Sequence, residues 1–158
     1  MKIFPWLLIS LLFSTAGFAE NTPGKAAGND QQPVEITVYR SPTCGCCSKW
    51  IKHLQQNNFK IKDIVTENVA GIKEKYGVPK NLQSCHTAIV DGYVIEGHVP
   101  ASDIRSLLKI KPAVAGLSVP GMVTGTPGME MGGSKNPFKV IAFDKQGHMQ
   151  IFNSYENY

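Results

Sequence analysis

The spacing of apolar residues predicts that strands and helices alternate from Val34 onward. Apolar and polar residues alternate from Val34 to Tyr39, the pattern of a half-buried strand. Apolar residues then recur at three- and four-residue steps after Cys47, which predicts a helix running to about Gln56. A second strand is predicted at residues 59–65 and a short helix at residues 69–76. The first half of the chain therefore has the order strand, helix, strand, helix.

A tight hairpin is predicted next, because Asp91-Gly92 separates two short apolar runs at residues 87–90 and 93–96. A two-residue turn fixes which residues face each other across the two strands. In that register Thr87 faces Glu96, His86 faces Gly97 and Cys85 faces His98.

The remainder of the chain is predicted to form a helix, a loop and a closing hairpin. The helix spans residues 100–108, with Pro100 in the first turn, where its missing N–H costs little. A loop rich in Gly, Pro and Met covers residues 112–137, and a hairpin of residues 138–144 and 148–152 follows. The order β-α-β-α-β-β-α, with cysteines at the start of the first helix, predicts an α/β fold of the thioredoxin-like type. Its mixed sheet and flanking helices carry this loop and hairpin as a C-terminal addition.

The chain divides into three segments by composition. Residues 1–19 have one lysine, an apolar run and a small-residue end at Ala19, which predicts a cleaved secretory signal peptide. The alternative, a membrane anchor, is disfavoured because the apolar run is shorter than the roughly 20 residues that span a bilayer. Residues 20–33 are predicted to be a disordered lead-in, and residues 34–158 a single metal-binding domain. A secretory signal implies export to the periplasm.

The charge pattern argues against a nucleic-acid partner. After removal of the signal peptide, 15 basic residues stand against 12 acidic ones, and no dense Lys/Arg run occurs. No membrane span is expected after the signal peptide is removed.

The densest candidate chemistry is the sequence Cys44-Gly45-Cys46-Cys47 at the start of the first predicted helix. A helix N-terminus favours thiolates, which are both nucleophiles and metal ligands. A third thiol beside a C-x-x-C pair would scramble a simple dithiol cycle, and this favours metal binding. Three crowded sulfurs that can bridge metal ions suit several Cu(I) ions better than one Zn(II). A thiol-disulfide oxidoreductase using Cys44 and Cys47, or a pair of structural disulfides, remains the alternative.

The hairpin register adds candidate ligands from a second part of the chain. In a thioredoxin-like fold the start of the hairpin's first strand lies beside the C-x-x-C motif, so Cys85 and His86 are expected near the three thiols. His98 faces Cys85 and is either a ligand or a strand-end histidine in water.

The loop supplies two further candidates, Met122 and Met129, each within a Pro-Gly-Met sequence. Methionine is usually core filler, but this segment has neither helical nor strand periodicity. Thioether sulfur is a soft donor that selects Cu(I), so both residues are predicted to be additional copper ligands. For Met131 a structural and a functional role are equally open.

Several ordered motifs resemble the CopG-type family of periplasmic copper-resistance proteins over residues 34–155. They are Ser41-Pro42-Thr43-Cys44-Gly45-Cys46-Cys47, Cys85-His86-Thr87-Ala88, Glu96-Gly97-His98-Val99-Pro100 and the loop from Gly116 to Glu130. The resemblance implies a thioredoxin-like fold holding copper ions by bridging cysteines, with interconversion of Cu(I) and Cu(II) as an activity. Val123 stands where the family's Pro-Gly-Met-Pro sequence has a proline, a difference that concerns loop stiffness and removes no ligand.

The sequence therefore predicts a periplasmic copper-binding protein of copper resistance. The partners expected are copper ions and other periplasmic copper-handling proteins. The predicted metal ligands are Cys44, Cys46, Cys47, Cys85, His86, His98, Met122 and Met129.

Overall fold

The computed structural model describes residues 32–156 and residue 158. The predicted signal peptide at 1–19 and residues 20–31 of the predicted lead-in lie outside the described residues. None of the helices in the described part of the chain is long and apolar enough to cross a membrane.

Seven strands and three α-helices make up the described chain. In chain order they are β1 (Val34–Arg40), α1 (Gly45–Gln56), β2 (Phe59–Val65), α2 (Val69–Lys75), β3 (His86–Val90), β4 (Tyr93–Glu96), α3 (Ala101–Ile110), β5 (Gly116–Ser118), β6 (Phe138–Phe143) and β7 (Met149–Tyr155). A short 3₁₀ helix, Lys80–Leu82, precedes β3.

All seven strands belong to one mixed sheet with the order β2-β1-β3-β4-β5-β6-β7. The pairs β1–β2 and β4–β5 are parallel, and the other neighbouring pairs are antiparallel. The predicted order β-α-β-α-β-β-α is confirmed from β1 to α3, and the α/β, thioredoxin-like fold class is confirmed with it. The sequence-based prediction missed β5, which joins the C-terminal hairpin to the same sheet.

Alternate residues of the central strands face two hydrophobic clusters, as the twofold side-chain period of a strand requires. Ala88 and Ile95 pack against the buried faces of α1 and α3. Ile89 and Val94 face the other side of the sheet, toward the segment that follows α2. The predicted hairpin register is confirmed, because Thr87 pairs with Glu96 and Val90 pairs with Tyr93.

A buried carboxylate ties the C-terminal hairpin to the rest of the domain. Asp103 in the first turn of α3 accepts hydrogen bonds from the Tyr155 hydroxyl (2.6 Å) and from Asn153 Nδ2 (2.8 Å). Burial, and then the hydrogen bond to Asp103, raises the pKa of Tyr155 to about 12. The neutral phenol is therefore the form that the folded chain stabilises.

We predict that this pair makes stability fall at high pH. A tyrosine in the unfolded chain ionises near pH 10, whereas Tyr155 in the folded chain keeps its proton to about 12. Between these values the unfolded state binds fewer protons, so the unfolding free energy decreases as pH rises. Urea unfolding from pH 9 to pH 12 should show a smaller decrease in Tyr155→Phe than in the wild type. Equal decreases would contradict the prediction.

Candidate metal centre

Three sulfur atoms come together because α1 begins within the cysteine cluster. A turn precedes the helix, in which the Cys44 amide donates to the Ser41 carbonyl over 3.2 Å, and Cys44 is the N-cap residue. Cys44 and Cys47 are joined by a disulfide, with Cys46 between them as a free thiol. The sulfurs of Cys44 and Cys46 are 3.6 Å apart.

The fourth sulfur belongs to Cys85, the residue immediately before β3. Cys85 Sγ lies 3.8 Å from Cys46 Sγ, although 39 residues separate the two along the chain. The sulfurs of all four cysteines lie within 4.8 Å of one another. The two segments thus form one group of four sulfur atoms, which has the spacing to hold a metal ion and acquires the chemistry for it when the Cys44–Cys47 disulfide is reduced.

Cys85 also belongs to a second group, with His86 and His98. Cys85 Sγ is 3.2 Å from His86 Nδ1 and 3.2 Å from His98 Nε2, and the three atoms lie within 4.8 Å of one another. The predicted placement of Cys85 opposite His98 is therefore confirmed. The alternative of a solvated His98 is excluded by its 1% exposure.

The loop orients the ring of His98. Its Nδ1 lies 2.7 Å from the Pro127 carbonyl oxygen, which can only accept, so Nδ1 carries the proton. Burial lowers the pKa of His98, and the neutral ring then turns the lone pair of Nε2 toward Cys85. A histidine whose other nitrogen is held in this way is typical of metal ligation.

His86 is the most enclosed donor of the group, with 0% exposure. Its ring centroid is 4.3 Å from that of Trp50 and 5.0 Å from that of His98. Burial holds the pKa of His86 well below its usual range, and positive charge on the neighbouring His98 and Lys73 opposes its protonation further. In the described part of the chain, His86 Nε2 is the one buried side-chain nitrogen or oxygen without a hydrogen-bond partner.

The environment of Cys85 disfavours a bare thiolate. Burial first, and then the neighbouring Cys46, raises the pKa of the Cys85 thiol to about 12. A buried anion is costly unless a cation compensates it. A bound metal ion replaces the proton of a coordinating thiol and supplies that charge.

A loop covering residues 119–129 (the methionine loop) closes over these groups and is attached at both ends. At one end, the Gly121 amide donates to the Gln83 carbonyl over 3.2 Å, and the Ser84 hydroxyl donates to the Gly121 carbonyl. At the other end, Gly128 has no room for a Cβ, which would lie 2.6 Å from the Trp50 nitrogen and 3.0 Å from the Cys46 carbonyl oxygen.

The two candidate methionines of the loop occupy different environments. Met129 is 6% exposed, and backbone hydrogen bonds with Gly125 and Thr126 hold it inside the loop. Met122 is 57% exposed, immediately after the attachment at Gly121. Met129 is thus packed into the domain, whereas Met122 presents its thioether to solvent.

Sequence reasoning missed the residues that orient the donors. The Pro127 carbonyl and the ring of Trp50 contact the two histidines, and Ser84 links Cys85 to the loop with its hydroxyl 3.9 Å from Cys85 Sγ. Backbone carbonyls carry no signal in the sequence, and Trp50 has the spacing of an ordinary core residue. His53 is half-buried and accepts a hydrogen bond from the Ala101 amide, so it fixes the start of α3.

Comparisons with known proteins point to copper resistance proteins. Residues 82–129 match a family model described as a protein of unknown function, DUF411. Two solved structures, Form 2 and Form 1 of a copper resistance protein CopG, are each 41% identical to this chain with a TM-score of 0.75. The first alignment covers 78% of this chain and 99% of the other, and the second covers 80% and 100%. No curated protein matches the chain.

We predict that Gly128→Ala lifts the methionine loop from α1. Gly128 and Gly121 both have positive φ values, of 85° and 70°, so alanine at either position is strained by about 1–2 kcal/mol. At Gly128 a Cβ also collides with backbone atoms of α1, whereas at Gly121 it meets nothing within 4 Å. Urea unfolding should therefore show a larger loss of stability for Gly128→Ala than for Gly121→Ala.

The nitrogen NMR shifts of His98 provide a second measurement on the same pair of variants. Gly128→Ala should mix the two tautomers of His98, because the Pro127 carbonyl moves with the loop, and Gly121→Ala should not. Equal effects of the two substitutions on stability and tautomer would show that the contact with α1 does not hold the loop.

Proposed function

The chain belongs to the CopG family of copper resistance proteins, and on that premise we propose that it binds copper, as several Cu(I) ions bridged by cysteine sulfurs. The four core ligands are Cys44, Cys46, Cys47 and Cys85. The additional ligands are His86, His98, Met122 and Met129.

The observation that carries this proposal is the group of four sulfur atoms with Cys85 at its edge. Thiolates and thioethers are soft donors that select Cu(I), while the neutral imidazoles of His86 and His98 suit copper in either oxidation state. The sulfur separations of 3.6 and 3.8 Å are those expected of neighbouring ligands on one ion, because metal–sulfur bonds are about 2.3 Å long. Because Cys85 belongs both to the four-cysteine group and to the group with His86 and His98, copper ions bridged by its sulfur can take ligands from the two groups together.

The disulfide has a direct consequence for copper binding. Cys44 and Cys47 become ligands only after the disulfide accepts two electrons and the sulfurs become thiols or thiolates. The disulfide form keeps Cys46 and Cys85 as free thiols. Full copper capacity accordingly belongs to the reduced chain.

The proposed compartment is the periplasm. The signal-peptide pattern of residues 1–19 supports export, and a disulfide is consistent with an oxidising compartment. In a copper-exposed bacterial host, the protein should be recovered from the periplasmic extract with Glu20 as its first residue by intact mass. Recovery of the uncleaved chain in the cytoplasm would reject this part of the proposal.

We predict that the reduced protein binds more than one Cu(I) per chain and that Cys46→Ser binds fewer ions. Cys46 Sγ lies 3.6 Å from the sulfur of Cys44 and 3.8 Å from that of Cys85, so its loss removes a sulfur that contacts both segments of the group. Anaerobic titration with Cu(I) against a chromophoric chelator measures both capacity and affinity. We expect the variant to lose at least one ion per chain and to bind the remainder at least about tenfold more weakly.

His148→Gln is the matched control for this titration, because His148 is exposed and hydrogen-bonds with Asp144 in the turn between β6 and β7. It should bind copper like the wild type. Binding of no copper by the reduced wild type, or equal capacity in wild type and Cys46→Ser, would reject the sulfur cluster.

We also propose that the bound copper cycles between Cu(I) and Cu(II). In each cycle Cu(I) gives one electron to an external one-electron carrier, and Cu(II) accepts one from a reduced carrier. The mixed sulfur and nitrogen donors around Cys85 support this proposal, because imidazole suits both oxidation states. Replacement of His98 by Phe should therefore raise the potential at which the copper is oxidised, since the loss of one of the two imidazoles leaves a more sulfur-rich environment that favours Cu(I).

The measurement is a redox titration of the copper-loaded protein, followed by the electron paramagnetic resonance signal of Cu(II). The wild type should gain and lose this signal reversibly without loss of copper. Irreversible release of copper on oxidation, or an unchanged potential in His98→Phe, would contradict the cycling proposal.

One observation favours a second candidate function, a thiol-disulfide oxidoreductase. The disulfide lies at the N-terminus of α1, with Cys44 partly exposed and Cys47 fully buried, an arrangement suited to attack on the outer sulfur. This alternative requires only Cys44 and Cys47. Insulin reduction that is as fast in Cys46→Ser as in the wild type, without copper binding by either, would favour it.

A further inference from the structure

A buried ion pair lies on the face of the sheet covered by α2, next to the residue that precedes Cys85. Lys73 in α2 and Glu96 at the end of β4 form this pair, and both side chains are almost completely buried. Removing two charges from water is costly, and a buried ion pair is usually no more stabilising than a well-packed apolar pair. Its presence therefore calls for an explanation other than stability.

Glu96 is hydrogen-bonded through both of its carboxylate oxygens. Its Oε1 accepts from Lys73 Nζ and from the Ser84 backbone amide, the latter over 2.6 Å. Its Oε2 accepts from the Thr87 hydroxyl over 2.7 Å, and this hydroxyl in turn accepts from Lys73 Nζ over 3.0 Å. One carboxylate thus connects α2, β3 and β4 to the backbone at Ser84.

The hydrogen bond from the Ser84 amide to Glu96 connects this network to the metal centre. Ser84 directly precedes Cys85, the one residue that both ligand groups share. Its hydroxyl donates to the Gly121 carbonyl, and the Gln83 carbonyl accepts from the Gly121 amide. A shift of Ser84 would move Cys85 and the start of the methionine loop together.

We propose that Lys73 and Glu96 are positioning residues for copper binding, in which Glu96 fixes Ser84 and thereby Cys85, and Lys73 neutralises the carboxylate that does so. Neither side chain touches the metal. The copper measurements below rest on the proposed function, whereas the thiol measurements do not.

Two double variants separate the hydrogen bond from the charge. Lys73→Met with Glu96→Leu replaces the pair by apolar side chains of similar size and leaves the Ser84 amide without its acceptor. Lys73→Met with Glu96→Gln also removes both charges but retains a carbonyl oxygen for the Ser84 amide. Both are expected to fold, because each removes the two charges together and so leaves no uncompensated buried charge. Circular dichroism and urea unfolding check this expectation.

The first measurement is the alkylation rate of Cys85 relative to Cys46 in the metal-free disulfide form, read by peptide mass spectrometry. The leucine double variant should alkylate Cys85 at least about fivefold faster than the wild type, because a hydrogen bond to a carboxylate is lost. The glutamine double variant should stay close to the wild type. Equal rates in the two double variants would overturn the proposal.

The second measurement is anaerobic Cu(I) titration of the reduced proteins. The leucine double variant should bind its most weakly held copper ion about tenfold less tightly, or lose that ion, and the glutamine double variant should retain it. If the wild type binds copper and both double variants bind it equally well, the positioning role is wrong and the proposed function stands. If the wild type binds none, the proposed function fails, and the alkylation rates alone decide the positioning role.

Amide hydrogen exchange of the wild type covers the case in which the leucine double variant does not fold. The Ser84 amide should be protected to the same degree as the amides of β3, because it donates to a buried carboxylate. Exchange of Ser84 at the rate of an exposed loop amide would overturn the proposal.

Discussion

The register of the hairpin β3–β4 is the constraint on which the metal centre depends. Asp91 and Gly92 occupy the turn with φ values of 46° and 81°, the left-handed conformation that a tight two-residue turn requires. Side chains alternate between the two faces of a strand, so a shift of one residue would exchange all of them. This turn therefore sets the pairing of Thr87 with Glu96, and it brings Cys85 and His98, which lie just beyond the paired residues, to the same end of the hairpin.

The donors that this register brings together are neutral, and their surroundings keep them so. Burial lowers the pKa values of His86 and His98 and raises that of Cys85, so each favours its uncharged form. Neutral imidazoles have a lone pair for a metal ion, whereas imidazolium rings do not. The thiol is different, because it must lose its proton to bind. A soft cation compensates the resulting negative charge, because thiolate sulfur is itself a soft ligand.

Sequence periodicity was sufficient for the elements that position the sulfurs, and the reason is that each carries a local signal. The alternation in β1, the helical spacing after Cys47 and the Asp91-Gly92 turn are all encoded by neighbouring residues. β5 was missed because three residues are too few to show a period, and its pairing with β4 and β6 is a long-range interaction. The pairing of Thr87 with Glu96 was predicted, but the buried ion pair of Glu96 with Lys73 was not. A buried carboxylate on a central strand requires a cation nearby, and the sequence alone does not identify Lys73 as that cation.

The path of the methionine loop could not be predicted from its sequence pattern. Its Gly and Pro content predicted an irregular segment, but its path follows from tertiary contacts, of the Pro127 carbonyl with His98 and of Gly128 with the backbone of α1. These contacts bury Met129 and leave Met122 in solvent at the same time. The thioether of Met122 can meet a Cu(I) ion arriving from solvent, whereas that of Met129 can meet only an ion that is already beneath the loop. Identical Pro-Gly-Met sequences therefore have different accessibility, which is a property of the contacts around each methionine and not of the repeated residues themselves.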